Sequence, residues 1–468
     1  MTSPKTALRA LPSVEAMLQL LDPFIQETGI ARAVVTQSVR QAIDQAREGL
    51  VAGTLAPERA LDHVVEQVKR RAQQNWTSSI PRVLNATGII LHTGLGRAPL
   101  SPLVKEYVMQ VLDGYSLLAF STETGKRRER HFHTEALLAQ LTGAETGIVV
   151  NNNAAATLLV LGTFCKGKEA VVSRGELVEI GGSFRMPDVM AQSGAIMREV
   201  GTTNKTHLRD YEAAIGPNTG MLVKVHKSNY KIIGFSSEPS LAEMVELGNR
   251  HGVPVYHDLG SGALIDFSRY GLAHEPMVQE SVAAGAHLVT ISGDKLIGGP
   301  QSGIILGQKA YVDRIKKNPL LRATRCGKLT YAALEATLKL FLDEKTAVSQ
   351  NTTIQRLVEP NGPLKKRALS LVQGAKPHAP TSVSLGVEEQ VTYVGGGSMP
   401  GESLPTVVVT VTDEKLAPEA FAKRLRLGNP ALFTRVQGEQ LILDLRTLGA
   451  DEIPLAVGAL KAAWKERA

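Results

Sequence analysis

The sequence predicts an α/β protein: a mostly parallel sheet, preceded by a helical segment and followed by a smaller α/β domain. Three observations carry this expectation. From about residue 82 to 340, short apolar runs alternate with helix-length stretches, the texture of strands buried on both faces and joined by helices. Each run ends in a polar cluster, and in open α/β sheets ligands sit at such strand ends. The flanks have other textures, helical before the sheet and mixed after it. The expected division is 1–80, 81–340 and 341–468.

Taken in order, Val34 to Leu50 mixes apolar, Gln and Arg positions, and Pro57 to Gln74 resembles a capped helix with Glu58 in its first turn. This first segment holds nine Lys/Arg against eight Asp/Glu, so it is not a basic arm. Pro81 breaks the pattern. The strand candidates are Gly147–Val150, Ala170–Val172, Met221–Val223, Val253–Tyr256 and Leu288–Ile291, with helices expected over Ser240–His251 and Pro276–Ala284. Beyond 341, the glycine loop Gly395-Gly396-Gly397 precedes a strand at Thr406–Val409. A second strand is expected at Gln440–Leu445, and a closing helix from Pro454 to Ala463. There is no repeat at a fixed period.

The bulk numbers narrow the function classes. At 468 residues the chain is about three typical domains long. Aromatics at 4% argue against nucleic-acid binding by rows of stacked rings, while a formal charge of +7 suits a polyanionic partner without establishing one. Two cysteines, Cys165 and Cys326, build neither a disulfide framework nor a four-ligand zinc site, so no metal is expected. The N-terminal stretch has no export pattern, and nowhere do eighteen uninterrupted apolar residues occur. A cytoplasmic protein is expected.

The sharpest local feature is Ser292-Gly293-Asp294-Lys295, ahead of the turn Leu296-Ile297-Gly298-Gly299-Pro300. A lysine that follows a buried strand is poorly placed for a solvated role and well placed to form a Schiff base with a carbonyl cofactor. The S-x-x-K spacing alone also occurs in β-lactamase-like enzymes, but their S-D-N and K-T-G companions are absent. Ser292 can offer a hydroxyl to a cofactor phosphate. Asp258, at another strand end, can keep a pyridine nitrogen protonated. Asn151-Asn152-Asn153-Ala154 ends a third strand and opens a helix whose backbone amides can cradle a phosphate. Singly, these are a capping Asp and an N-cap cluster. Together they fit a pyridoxal-phosphate site of the aspartate-aminotransferase-like architecture, fold type I. Arg97 lies in a glycine-rich loop, and Arg322 and Arg325 have the spacing to share one helix face and grip one anion.

Long blocks of the chain resemble bacterial selenocysteine synthase, L-seryl-tRNA(Sec) selenium transferase. They are Asn85 through Pro99, Asn151 through Ala156, Ser173 through Arg185, Val200 through Thr206, His226 through Lys231, the Asp258 loop, Ser292 through Gly303, the Arg322/Arg325 segment, Gly395 through Gly401 and Gly428-Asn429-Pro430. The resemblance implies a PLP enzyme that converts seryl-tRNA(Sec) to selenocysteinyl-tRNA(Sec), with pyridoxal 5'-phosphate on Lys295 and Asp258 facing its ring nitrogen. It implies that Arg97, Arg322 and Arg325 bind the selenium donor, selenophosphate. It further implies that the N-terminal segment recognises the tRNA, and that the site lies between subunits of a homo-oligomer, a decamer built from dimers. Two departures stand out: Gly94 where the family has Asn, and Arg128 where it usually has Gly. A related PLP lyase for a small amino acid or amino sugar would share the core. A non-catalytic tRNA-binding protein would share the fold. The residue that stacks on the cofactor ring is left open among Arg174, Glu176 and Leu177, as is a proton-transfer role for His92 or His226.

Overall fold

The computed structural model describes residues 8, 11–181 and 184–465. Gly182 and Ser183, inside one of the matched blocks, lie outside them. The chain forms two compact units, residues 1–82 and 83–468. The first is helical, with helices Val14–Leu20, Asp22–Thr28, Arg32–Val51 and Ala60–Trp76. Val35, Val39, Ala42 and Ala46 recur at helical spacing on the third helix, and Val64, Val68 and Ala72 on the fourth; all are buried in one cluster. The alanines let the two helices approach closely, and Arg71 ties them at the rim through Gln41 and Gln45.

In the second unit, β1 (Leu84–Asn85) precedes a seven-stranded sheet. Its strands are β2 (Thr146–Val150), β3 (Glu169–Ser173), β6 (Ile196–Val200), β7 (Thr219–Val225), β8 (Val255–Gly260), β9 (Leu288–Ser292) and β10 (Gly303–Gly307), in the order β2-β10-β9-β8-β7-β3-β6. A short hairpin, β4 (Glu179–Ile180) with β5 (Phe184–Arg185), leaves the end of β3. Only β10 runs against its neighbours. Burial on both faces is plain from the alternation: Ile148, Val150 and Ile305 enter one apolar cluster, and Val149, Ile304 and Leu306 the opposite one. All five expected strands are present. The expectation missed two, the edge strand β6 and the antiparallel β10. The expected helix over Ser240–His251 is Leu241–His251, capped by Ser240 and Glu243 in a reciprocal capping box.

The remaining strands are β11 (Val383–Tyr393), β12 (Ser403–Asp413), β13 (Leu432–Phe433), β14 (Arg435–Gln437) and β15 (Gln440–Asp444). β11-β12-β15-β14 form an antiparallel sheet, and β13 pairs with β1. Helices Asn361–Ala375, Pro418–Leu427 and Ile453–Lys465 bury one face of that sheet around Leu371, Val409, Phe421, Leu443 and Leu460. The β11–β12 connection carries Gly395, Gly396 and Gly397, all at positive φ. A Cβ on Gly395 would collide with the Ile89 side chain, and one on Gly396 would stand 2.8 Å from Leu91. Glycine alone lets this loop lie against residues 89–91. Among the described residues no helix is long and apolar enough to cross a membrane.

Candidate active site

The carboxyl ends of β2, β7, β8 and β9 converge on a cavity of about 290 Å³. Lys295, three residues past β9, lines it and is only 5% exposed; its Nζ donates to the carbonyl oxygen of Gly397 at 3.1 Å. The glycine loop of the C-terminal sheet thereby closes over the amine. Burial, then the Arg97 charge, push the Lys295 amine below its ordinary value, while Asp258, Asp294 and Glu275 pull the other way.

Asp258, on β8, is 6% exposed. Its pairing with β9 is irregular: Asp258 faces Thr290, yet Gly260 faces Ile291, so an extra residue sits between them. Asp258 Oδ1 accepts from Asn153 Nδ2 at 2.9 Å and from the Thr290 hydroxyl at 3.2 Å, and Oδ2 from the Thr157 hydroxyl at 3.1 Å. The Tyr256 hydroxyl bridges the two threonines at 3.0 and 2.7 Å. Burial pushes the Asp258 carboxyl above its ordinary value; the Asn153 and Thr157 hydrogen bonds, the Lys295 charge and the Thr290 hydrogen bond oppose the rise.

The helix Asn153–Phe164 begins at the end of β2, with Asn152 as N-cap accepting from the Ala155 amide at 2.8 Å. The first amides of a helix have no partner within it, so those of Asn153 and Ala154 are available to an anion. A Cβ on Gly303 would collide with the Asn152 carbonyl oxygen, so glycine at the head of β10 is what admits the helix start here. Ser292 and Arg97 also line the cavity. Arg97 adopts φ 60°, uncommon outside glycine, and its Nη1 meets Asp294 Oδ2 at 2.8 Å.

The structure places several of the expected residues elsewhere. Asn151 does not line the cavity; its amide is taken by the Thr324 carbonyl at 2.9 Å. Asn153 contributes a side chain that orients Asp258 as well as a backbone amide. Arg322 and Arg325 do not share a helix: Leu320–Ala323 is a single turn, and Arg325 lies beyond it, bridged to Val150. Their side chains line a different cavity of about 390 Å³, with Arg127, Arg128, Arg130, Lys316 and Lys317. Burial and the Arg325 charge push the Arg130 guanidinium below its ordinary value, as expected where cations crowd. Arg174, Glu176 and Leu177 are all absent from the Lys295 cavity, whose apolar wall is made by Val178, Ile180 and Met186 instead. Glu176 is buried against Lys224 (3.3 Å) and accepts from the Val225 amide (2.9 Å), which pins the end of β7.

Of the two histidines, His226 lines the cavity and His92 does not. His226 Nε2 lies 3.2 Å from the buried Glu275. Sequence reasoning missed Thr157, Thr290, Ser228, Gln301 and Gly397 as site residues. The triple glycine, and the matched blocks that contain Ser228 and Gln301, offered a signal; Thr157 and Thr290 had none. The departure at Gly94 is sterically open, since a Cβ there would meet only the His92 ring at 3.4 Å. Arg128 stacks on Phe132, 3.8 Å from its ring centre.

The cavity fits a phosphate-bearing pyridine aldehyde. It holds a buried amine, a buried carboxylate and a helix start, and the buried Asn153 Oδ1 has no hydrogen-bond partner among the described residues. A ring nitrogen carrying a proton would satisfy Asp258, and a polar substituent would satisfy the amide oxygen.

Comparison with known proteins gives concordant results. The family model described as L-seryl-tRNA selenium transferase (SelA) matches residues 83–449. The L-seryl-tRNA(Sec) selenium transferase of Alkaliphilus metalliredigens is 48% identical over 98% of this chain and 99% of its own length. That of Geobacter sulfurreducens is 46% identical over 97% and 99%. Among solved structures, a D-glucosaminate-6-phosphate ammonia-lyase superposes with a TM-score of 0.58 at 19% identity, over 84% of this chain and 98% of that one. That likeness concerns the fold, which is the expected fold type I architecture.

Proposed function

Since the chain belongs to the L-seryl-tRNA selenium transferase family and so converts L-seryl-tRNA(Sec) to L-selenocysteinyl-tRNA(Sec) with pyridoxal 5'-phosphate, we propose that Lys295 and Asp258 are the residues that run this chemistry. The observation that carries the reading is their burial in one cavity, the amine with its charge disfavoured and the carboxylate held by three hydrogen bonds. When bound, the cofactor supplies an electron-poor ring that stabilises negative charge at the seryl α-carbon, so that the β-hydroxyl can leave.

The protein's part is holding, orienting and moving protons. Lys295 Nζ would hold the cofactor, and its buried amine, whose charge the site disfavours, would be placed to take the seryl α-proton. Asp258 would keep a proton on the ring nitrogen, and Asn153, Thr157 and Thr290 fix the direction of its lone pairs. The amides of Asn153 and Ala154, with the Ser292 hydroxyl, would hold the phosphate. Arg97, steadied by Asp294, binds the oxyanion of selenophosphate beside Lys295.

Arg322 and Arg325 belong to the donor site as well, in this reading. Within one chain they face another cavity, so they serve the Lys295 site of a partner copy, in a homo-oligomer whose expected size is ten. The helical unit 1–82 recognises the tRNA. Co-expression of Lys295→Ala with Arg322→Ala chains tests the shared site. Random pairing leaves one intact site in each hybrid dimer, about a quarter of wild-type turnover. If each defect stays within its own chain, no such hybrid site arises, and mixed chains are then no more active than either parent.

A further inference from the structure

The Lys295 cavity has a larger neighbour. A second cavity of about 700 Å³ opens beside it, and Val225 and His226, at the end of β7, line both. None of the residues assigned to the cofactor lines this larger space. Under the function proposed above, on which this subsite rests, the substrate is a seryl group esterified to the ribose of a tRNA's last nucleoside. At about 290 Å³, the smaller cavity has to take a cofactor and a seryl group, and the nucleoside must continue out of it. The shared wall at His226 sets the direction.

We propose that the 700 Å³ cavity is the subsite for the 3'-terminal nucleoside of the acylated tRNA, with the ribose at His226 and the 5'-phosphate toward Lys231. Its volume is in the range of small-ligand sites. Ile232, Ile233, Leu241, Pro276, Met399 and Pro400 give it apolar wall suited to the faces of a base. Ile233 is 92% exposed, an apolar surface that a bound base would cover. His226 is held at the threshold from two sides: its amide donates to the Asp258 carbonyl at 2.9 Å, and its ring meets Glu275 at 3.2 Å.

The lysines of the cavity differ in their partners. Lys224 is committed to Glu176 and Glu238, and Lys227 to Glu238 at 2.5 Å. Lys231 has no ion-pair partner among the described residues and is left to meet a phosphate. Four carboxylates also line the cavity, and each has a partner that fixes its direction. Glu238 holds the two lysines, Glu275 faces His226, Glu280 faces His274 at 3.3 Å, and Glu402 accepts from the Ala273 amide at 3.1 Å.

The test uses the full-length protein loaded with pyridoxal phosphate. The probe is serine joined by an amide to 3'-amino-3'-deoxyadenosine 5'-monophosphate, an intact analogue of the tRNA end, and its affinity is compared by calorimetry with that of serinamide. The nucleotide should improve affinity by a factor of about 10 or more, equivalent to about 1.4 kcal/mol. Ala273→Trp, which fills the cavity from an exposed wall position, and Lys231→Ala should each remove most of that gain while cofactor content stays at the wild-type level. Equal affinity for probe and serinamide overturns the proposal, as does a gain that survives both substitutions. Failure of the cofactor to attach to Lys295 would instead overturn the reading on which the proposal rests.

Discussion

At the scale of single residues, Lys295 shows what the fold does to a charge. Its ordinary value is 10.5, and burial, followed by Arg97, pushes it down in the folded chain. Between the lowered value and 10.5 the unfolded chain binds a proton that the folded chain does not. Stability of the cofactor-free protein therefore rises with pH through that window. Lys295→Met lacks the group and the slope. Thermal melts at rising pH below 10.5 should show the wild type gaining on the variant; parallel curves would mean that the amine is not desolvated. Lys295 was legible because a lysine between a buried strand and a glycine turn has few structural uses. Thr157 and Thr290, which hold Asp258, were not, because a threonine inside a helix or a strand looks the same whether or not its hydroxyl meets a carboxylate. Arg322 and Arg325 were legible as a pair but not as occupants of a separate cavity, since sequence spacing does not say which way a short loop turns.

Among the elements, β10 and the helix Asn153–Phe164 form the joint that shapes the proposed phosphate cradle. Because its Cβ would collide with the Asn152 carbonyl oxygen, Gly303→Ala must displace either the strand or the helix start. A cost of about 1–3 kcal/mol is expected, together with weaker cofactor binding, measurable by chemical unfolding and by titration with pyridoxal phosphate. Unchanged binding would separate the cradle from the helix start. The buried strands announced themselves by composition. β6 did not, because at the sheet edge it reads Ile196-Met197-Arg198-Glu199-Val200, mostly exposed, with no apolar run to find. β10 is short and bounded by glycines, so it merged with the loop that follows Lys295. The long β11 was missed for a related reason: all but one of its residues are exposed or half-exposed, and Gly386 interrupts it.

For the molecule as a whole, the chemistry and the proposed selective recognition of the tRNA body fall in different units, while the proposed subsite for the terminal nucleoside stays with the chemistry. Residues 83–468 hold every residue assigned to the cofactor, while residues 1–82 form a separate helical cluster. A chain starting at residue 83 should bind pyridoxal phosphate with wild-type affinity and lose selective binding of seryl-tRNA(Sec) in a mobility-shift titration. Retained selectivity would move recognition of the tRNA body into the larger unit as well. The central claim, that Lys295 carries the cofactor, is tested most directly by reducing the loaded full-length protein with borohydride and mapping the modified peptide. A single pyridoxyl group on Lys295 is the predicted result. A stable adduct on another lysine, or none on a protein that is nonetheless active, would contradict it.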